Sequence, residues 1–277
     1  MKGIILAGGS GSRLHPLTKV TSKQLLPVYN QPMIYFPLNT LLKAGIRDIL
    51  IIVAPDHSGD YVNLLGSGKQ FGARFAYEVQ DKPEGLAQAF LIAEDFVGND
   101  SVAMILGDNI FTHDFGPAIK SFKRGGMIFA KQVPDPERFG VIEFGKDCRV
   151  LSIEEKPKNP KSNLAQVGFY VFDNRAAEMA KSLKPSARGE LEIVDLVKKY
   201  LELGDLRAEK LEGEWIDAGT IESLYKAATI VREKGLGIDP AQPKIKVEVK
   251  QVSAKGGSPS VPARAGERQK SKNNPFI

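Results

Sequence analysis

Short uninterrupted apolar runs alternate with amphipathic stretches from the first residues of this chain. Residues 4–7 are apolar throughout, as in a strand covered on both faces. Residues 49–53 form a second such run, rich in β-branched side chains, and residues 74–79 and 102–106 are further strand candidates. Helical stretches are expected between these runs near 33–44, 85–95 and 115–122, the first with a kink at Pro37. After Gly126 the pattern turns β-rich, with strands expected at 127–131, 139–144, 150–153 and 166–172. Helices return at 174–182, 190–203 and 220–234. The alternation predicts an α/β fold: a Rossmann-like, largely parallel central sheet with helices on both faces and a smaller β-rich part. No internal repeat, and in particular no hexapeptide repeat, is visible.

Composition narrows the picture. With 42% hydrophobic and 26% charged residues among 277, the chain is ordinary globular material, long enough for one large core or two small ones. Its single cysteine, Cys148, excludes an internal disulfide and a cysteine metal cluster. His15, His57 and His113 lie far apart and have no ligand spacing. No apolar run approaches the roughly 20 residues of a membrane span, and a strand begins at once, so a cytoplasmic protein without signal peptide is expected.

The net charge of +5 belongs to one end of the chain. Residues 240–277 hold eight Lys/Arg against two Glu, which leaves the remainder close to neutral. Five prolines and Gly256-Gly257 fall in the same stretch. The expected organisation is a folded body over 1–238 and a basic, Pro/Gly-containing tail over 239–277, disordered by composition. Ile245, Val247 and Val249 alternate with polar residues and leave a short edge strand open as an alternative. A basic tail without interleaved aromatics gives no reason to expect a nucleic-acid partner.

The chemistry begins where the first strand ends. Gly8, Gly9 and Gly11 allow a sharp turn with N–H groups close to a ligand, and Arg13 and Lys23 follow. Glycines alone read equally as an ordinary turn; the added fork and ammonium favour a polyphosphate. No Gly-Lys-Ser/Thr closes the run, and Leu14 stands where a dinucleotide fingerprint needs its third glycine. Asp108 ends a buried strand in Leu-Gly-Asp-Asn, where a carboxylate can hold a divalent cation against phosphates or simply serve a turn. Asp217, in Trp-Ile-Asp-Ala-Gly, precedes a helix and reads equally as a second metal ligand or an N-cap. Glu155 and Lys156 suit a phosphorylated polyol, yet by themselves read more readily as a solvated charge cluster. Gln80 and the segment Glu84 to Gln88 suit a nucleobase, although Gly85 also suits the start of a helix.

Taken together, residues 6–14, 22–27, 32–35, 85–89, 106–111, 135–141, 154–157, 184–193 and 215–219 resemble the short-type glucose-1-phosphate thymidylyltransferases, a family of sugar nucleotidyltransferases, in collinear order over roughly 1–236. The resemblance implies a nucleotidyltransferase fold whose β-rich part binds the sugar. It implies transfer of a thymidylyl group from dTTP to α-D-glucose 1-phosphate with release of pyrophosphate, in the service of dTDP-sugar biosynthesis such as that of dTDP-rhamnose. Leu6, Gly8, Gly9, Gly11, Arg13, Gln80 and Gly85 are thereby implied in nucleotide binding. Gln24, Gly140, Glu155 and Lys156 are implied in sugar-phosphate binding, and Arg13, Lys23 and Lys156 in catalysis. Asp108 and Asp217 are implied as ligands of Mg²⁺, the expected cofactor. Ser12, Phe139, Val194 and Ala218 depart from residues common in the family, three of them by losing a hydroxyl. The implied partners are the two small-molecule substrates, with no membrane; a homo-oligomer is left open. Two other readings stand beside this one: a uridylyl- or other sugar-1-phosphate nucleotidyltransferase, and a non-catalytic nucleotide-sugar-binding regulator. The regulator would be expected to lack Lys23, Asp108 or Asp217, and all three are present.

Overall fold

A computed structural model describes residues 1–146 and 149–238. Cys148 and the expected tail, with its Ile245, Val247 and Val249 alternation, lie outside the described residues. In chain order the first half runs β1 (Lys2–Ala7), α1 (Tyr35–Lys43), β2 (Asp48–Val53), α2 (Ser58–Leu65), β3 (Arg74–Val79), α3 (Gln88–Ile92), α4 (Glu94–Val97), β4 (Val102–Leu106) and β5 (Asn109–Phe111). The second half runs α5 (Gly116–Ser121), β6 (Gly126–Gln132), β7 (Gly140–Phe144), β8 (Val150–Glu155), β9 (Leu164–Phe172), α6 (Ala176–Lys181), α7 (Ile193–Glu202), β10 (Leu206–Lys210), β11 (Trp215–Asp217) and α8 (Ile221–Lys234).

The strands β3-β2-β1-β4 form a parallel sheet in that spatial order. β9 joins β4 antiparallel and carries the sheet on to β6 and β10, while its first half also meets the β7–β8 pair. The β-rich part is therefore continuous with the parallel centre. Side chains of β1 alternate between two cores, as the pleat requires. Ile5 and Ala7 join residues of α1, α2 and α5 on one face; Ile4 and Leu6 join residues of α3, α6 and α7 on the other. Helices cover both faces, which is why the central strands are apolar without a break.

Several local expectations change. Pro37 is the third residue of α1, in the first turn, where its missing N–H is not needed; it opens the helix rather than bending its middle. The stretch expected as one helix over 85–95 is irregular as far as Ala87, and a break at Ala93 divides the rest into α3 and α4. Gly85 has φ +108, and a Cβ there would lie 2.4 Å from the Leu191 carbonyl oxygen, so it serves a close backbone crossing and does not begin the helix. α7 starts at Ile193 rather than 190, with Glu192 in the capping position. α2, β5, β10 and β11 were not expected from the sequence pattern.

β1 and β4 are neighbours where the strand order turns: from β1 the chain goes on to β2 and β3 towards one edge of the sheet, and from β4 to the strands towards the other edge. Ligands of open α/β sheets bind in the crevice beyond the carboxyl ends of such a pair. The glycine loop leaves β1 there, and Gly107-Asp108 leaves β4 beside it, with the Gly107 N–H donating to the Leu6 carbonyl at 2.9 Å.

Candidate active site

The glycine loop is shaped by its own short contacts. Gly11 has φ +65, and its carbonyl accepts from the Thr18 hydroxyl at 2.7 Å and the Leu14 N–H at 2.9 Å. Leu14 is fully buried and anchors the turn, so Arg13 beside it remains exposed. A Cβ at Gly8 would sit 2.1 Å from the Gln80 amide oxygen, so a side chain there would displace the end of Gln80. Gln80 in turn donates to Gln88 Oε1 at 2.6 Å, and the Gln88 amide donates to Glu84 at 2.9 Å.

Two carboxylates meet beyond the strand ends. β11 pairs antiparallel with β5, and Asp217 falls opposite Asn109, which places it next to Asp108. Thr220, not Asp217, caps α8, through a reciprocal bond with Ser223; the capping explanation of Asp217 is thereby removed. Asp108 accepts from the Lys23 ammonium at 2.5 Å and from the Asn109 amide at 2.9 Å. Burial alone would raise its pKa, but the Lys23 charge and these hydrogen bonds hold it below the ordinary carboxylate range. Burial first, and the Asp108 carboxylate second, push the Asp217 carboxyl up, against the pull of Lys23 and Arg13. Asp217 Oδ1 is buried and has no hydrogen-bond partner.

Asp108 is buried, and half-buried Asp217 beside it has an orphaned oxygen that a cation would satisfy. Among the described residues no cluster of three His, Cys, Asp or Glu could hold a metal ion by itself. Mg²⁺ characteristically takes one or two protein carboxylates and completes its shell with water and substrate phosphates, so Asp108 and Asp217 fit it.

A second group lies at the ends of β7 and β8 and in the loop before α7. Glu155 is in register with Gly140, and the Lys156 N–H donates to the Phe139 carbonyl at 2.9 Å. Lys156 holds φ 44, a costly backbone state for a residue with a side chain, of the kind that gathers at functional sites. Its ammonium lies 3.5 Å from Glu155. Arg188 forks onto buried Glu192 at 2.8 and 2.9 Å and reaches Glu155 at 3.3 Å. Burial raises the Glu155 pKa, an effect eased by Lys156 and Arg188 and reinforced by Glu192. These charges form a bonded network at the edge of a cleft and are not the free surface cluster that their sequence alone suggests.

Both groups line one cavity of about 580 Å³. Leu6, Gly9, Arg13, Lys23, Gln24, Gln80, Gly85, Asp108, Gly140, Glu155, Lys156 and Asp217 all contribute to its wall. Gly8 and Gly11 stand behind that wall and set the loop's course. Lys23, expected against phosphates, is paired with Asp108 in the protein by itself. Gln24 is buried, and its oxygen accepts from the hydroxyls of Ser22 and Tyr61 at 2.9 and 3.1 Å.

The chain matches the family model described as "Nucleotidyl transferase" over residues 2–234. It is 56% identical over 238 residues to the glucose-1-phosphate thymidylyltransferase of Neisseria meningitidis serogroup A, covering 84% of this chain and 83% of that one. The enzyme of the same name from Mycobacterium tuberculosis is 52% identical over 240 residues, with 84% and 82% covered. The chain belongs to this family.

A crystal structure of a candidate glucose-1-phosphate thymidylyltransferase from Bacillus anthracis, in complex with a sucrose, superposes on this nucleotidyl transferase with a TM-score of 0.82 at 50% identity, covering 86% of this chain and 98% of that one. A UDP-glucose pyrophosphorylase complexed with UDP-glucose follows at TM-score 0.75 and 25% identity, with 84% and 98% covered. Some residues in the wall of the nucleotidyl transferase cavity were not singled out by sequence. Asn109 is one: its oxygen accepts from the Trp215 indole at 2.6 Å and the Gly168 N–H at 3.2 Å, so it ties β5, β9 and β11 together while its amide orients Asp108. Its position directly after Asp108 was the available signal. Trp215 also packs its ring on Phe139 at 5.3 Å, an aromatic contact that needs no hydroxyl. Arg188 and Gln166 complete the set. No helix among the described residues is long and apolar enough to cross a membrane.

Proposed function

We propose that this chain transfers the thymidylyl group of dTTP to α-D-glucose 1-phosphate, forming dTDP-glucose and pyrophosphate. The observation that carries the reading is one cavity shared by the Arg13 loop, the Lys23-Asp108-Asp217 group and the Glu155-Lys156 pair. Relatives that share about half of the sequence bear the name of this reaction, which supports thymine and glucose over other bases and sugars.

In this reading Gly8, Gly9 and Gly11 hold the loop against the triphosphate beside Leu6, and Gln80 and Gly85 receive the thymine. Gln24, Gly140 and Glu155 receive the sugar, and Lys156 meets its phosphate. An anionic oxygen of the sugar phosphate attacks the α-phosphorus in line. The new P–O bond forms as the bond to the β-phosphate oxygen breaks, and the electron pair leaves with pyrophosphate. The nucleophile is already charged, so no general base is needed. Catalysis is positioning together with neutralisation of phosphate charge by Arg13, Lys23 and Lys156. Asp108 and Asp217 would hold Mg²⁺, which when bound supplies further positive charge to the triphosphate oxygens. The product would feed dTDP-sugar biosynthesis, dTDP-rhamnose among its outlets, in the cytoplasm.

The test is pyrophosphate release, with the product identified by ³¹P NMR, across dTTP, UTP, CTP and GTP and several sugar 1-phosphates. The expected result is highest kcat/KM for dTTP with glucose 1-phosphate. A preference for UTP, or nucleotide binding without turnover, contradicts the proposal.

A further inference from the structure

We infer that the Gln166 side chain determines sugar specificity by pairing its amide with a hydroxyl of the hexose ring; the inference rests on the transfer proposed above. Gln166 is the one amide in the otherwise apolar β9, and it is 6% exposed. Neither its Nε2 nor its Oε1 has a hydrogen-bond partner. Among the described residues the other unpartnered buried side-chain atom is Asp217 Oδ1, which a cation accounts for. Nothing in the fold accounts for Gln166. A buried amide left unpaired loses its hydration with nothing in return, so its presence in a strand core opposes folding.

Its place explains what would pair it. Gln166 lines the cavity, and its Oε1 lies 3.1 Å from where a Gly140 Cβ would stand. Gly140 is in register with Glu155, and Ala165 with Val141, so the amide belongs to the same patch of wall as the Glu155-Lys156 pair. The register between β9 and β6 shifts between Gln166 and Tyr170, which sets this length of β9 apart from the regular ladder. An amide offers one acceptor and two donors. A hydroxyl, both donor and acceptor, can use both sides of it; a phosphate can use only the donors. Val194 Cγ2 packs on the same face of Gly140, so an apolar group adjoins the amide there. A neutral, hydroxyl-bearing ring is the ligand this surface suits.

The experiment compares the parent chain with Gln166→Leu and Gln166→Glu, using dTTP with glucose 1-phosphate and its 3-, 4- and 6-deoxy analogues. One deoxy sugar should lose about tenfold to a hundredfold in kcat/KM with the parent, the worth of one buried group left unpaired. Gln166→Leu should suffer the same loss on glucose 1-phosphate and no further loss on that deoxy sugar, with KM for dTTP within about twofold of the parent. Gln166→Glu loses the donors and adds a negative charge beside Glu155, and should lose at least as much as Gln166→Leu on glucose 1-phosphate. Because Gln166→Leu removes two unpaired groups, the variant without substrates should melt no lower than the parent. Unchanged kcat/KM in Gln166→Leu, an equal loss on every sugar, or a lower melting temperature with both substrates affected overturns the inference while leaving the transfer reading intact. A parent without turnover on any sugar 1-phosphate overturns both.

Discussion

Asp217 is the residue on which the proposed chemistry rests most heavily. Its carboxyl is raised by burial and by Asp108, one of its oxygens is orphaned, and Arg13 stands across Gly219 from it. Asp108 is its complement, held charged by Lys23 and Asn109. In the proposed function, removing the charge of either should leave the shape of the cavity intact while weakening the hold on the Mg²⁺ that would neutralise the triphosphate. Asp108→Asn and Asp217→Asn should each lower kcat by at least about a hundredfold, with melting temperatures near that of the parent. Near-normal turnover of both variants at limiting Mg²⁺ would exclude these residues as metal ligands.

At the scale of elements, what can be read from sequence follows period and length. β1, β2 and β4 are long apolar runs buried on both faces, and the sequence pattern alone finds them. β5 and β11 have three residues each, too short for any period, although together they bring Asp217 to Asp108. Their pairing joins residues about a hundred positions apart, and only the fold can state it. Gln166 is a different case: a lone amide in an apolar run is visible in the sequence, but that it is unpaired is not. Another joint escapes sequence reading for the same reason of distance. Arg175 bonds both Asp173 and Asp205, while Asp173 also accepts from the Gly125 N–H and the Tyr200 hydroxyl, tying β9, β6 and α7. For Asp173 burial would raise the pKa, but these hydrogen bonds outweigh it; for Asp205 the bonds from Arg175 and Arg124 dominate, and both carboxyls end below their ordinary value. A depressed carboxylate stabilises the fold above its unfolded pKa, roughly 3.9, and that contribution is lost as pH falls through the folded value. Melting temperature should therefore drop steeply below about pH 4, and Asp173→Asn should melt lower at neutral pH but with a shallower acid slope. Parallel slopes for parent and variant would remove this joint from the account of acid stability.

Across the whole molecule, the parallel centre supplies the loops of β1 and β4, and the antiparallel extension through β9 supplies Gly140, Glu155, Lys156 and Gln166. One continuous sheet thus holds both halves of a single cavity, an arrangement for direct transfer between two substrates bound at once. Among the described residues its wall offers no cysteine, histidine or serine as a covalent carrier of the nucleotide. The most direct measurement of this claim is the configuration at phosphorus when a single diastereomer of dTTP carrying sulfur at the α-phosphate reacts with glucose 1-phosphate. A single in-line displacement predicts a thio-substituted dTDP-glucose inverted at the α-phosphorus; retained configuration would require a nucleotidyl-enzyme intermediate and would contradict the account.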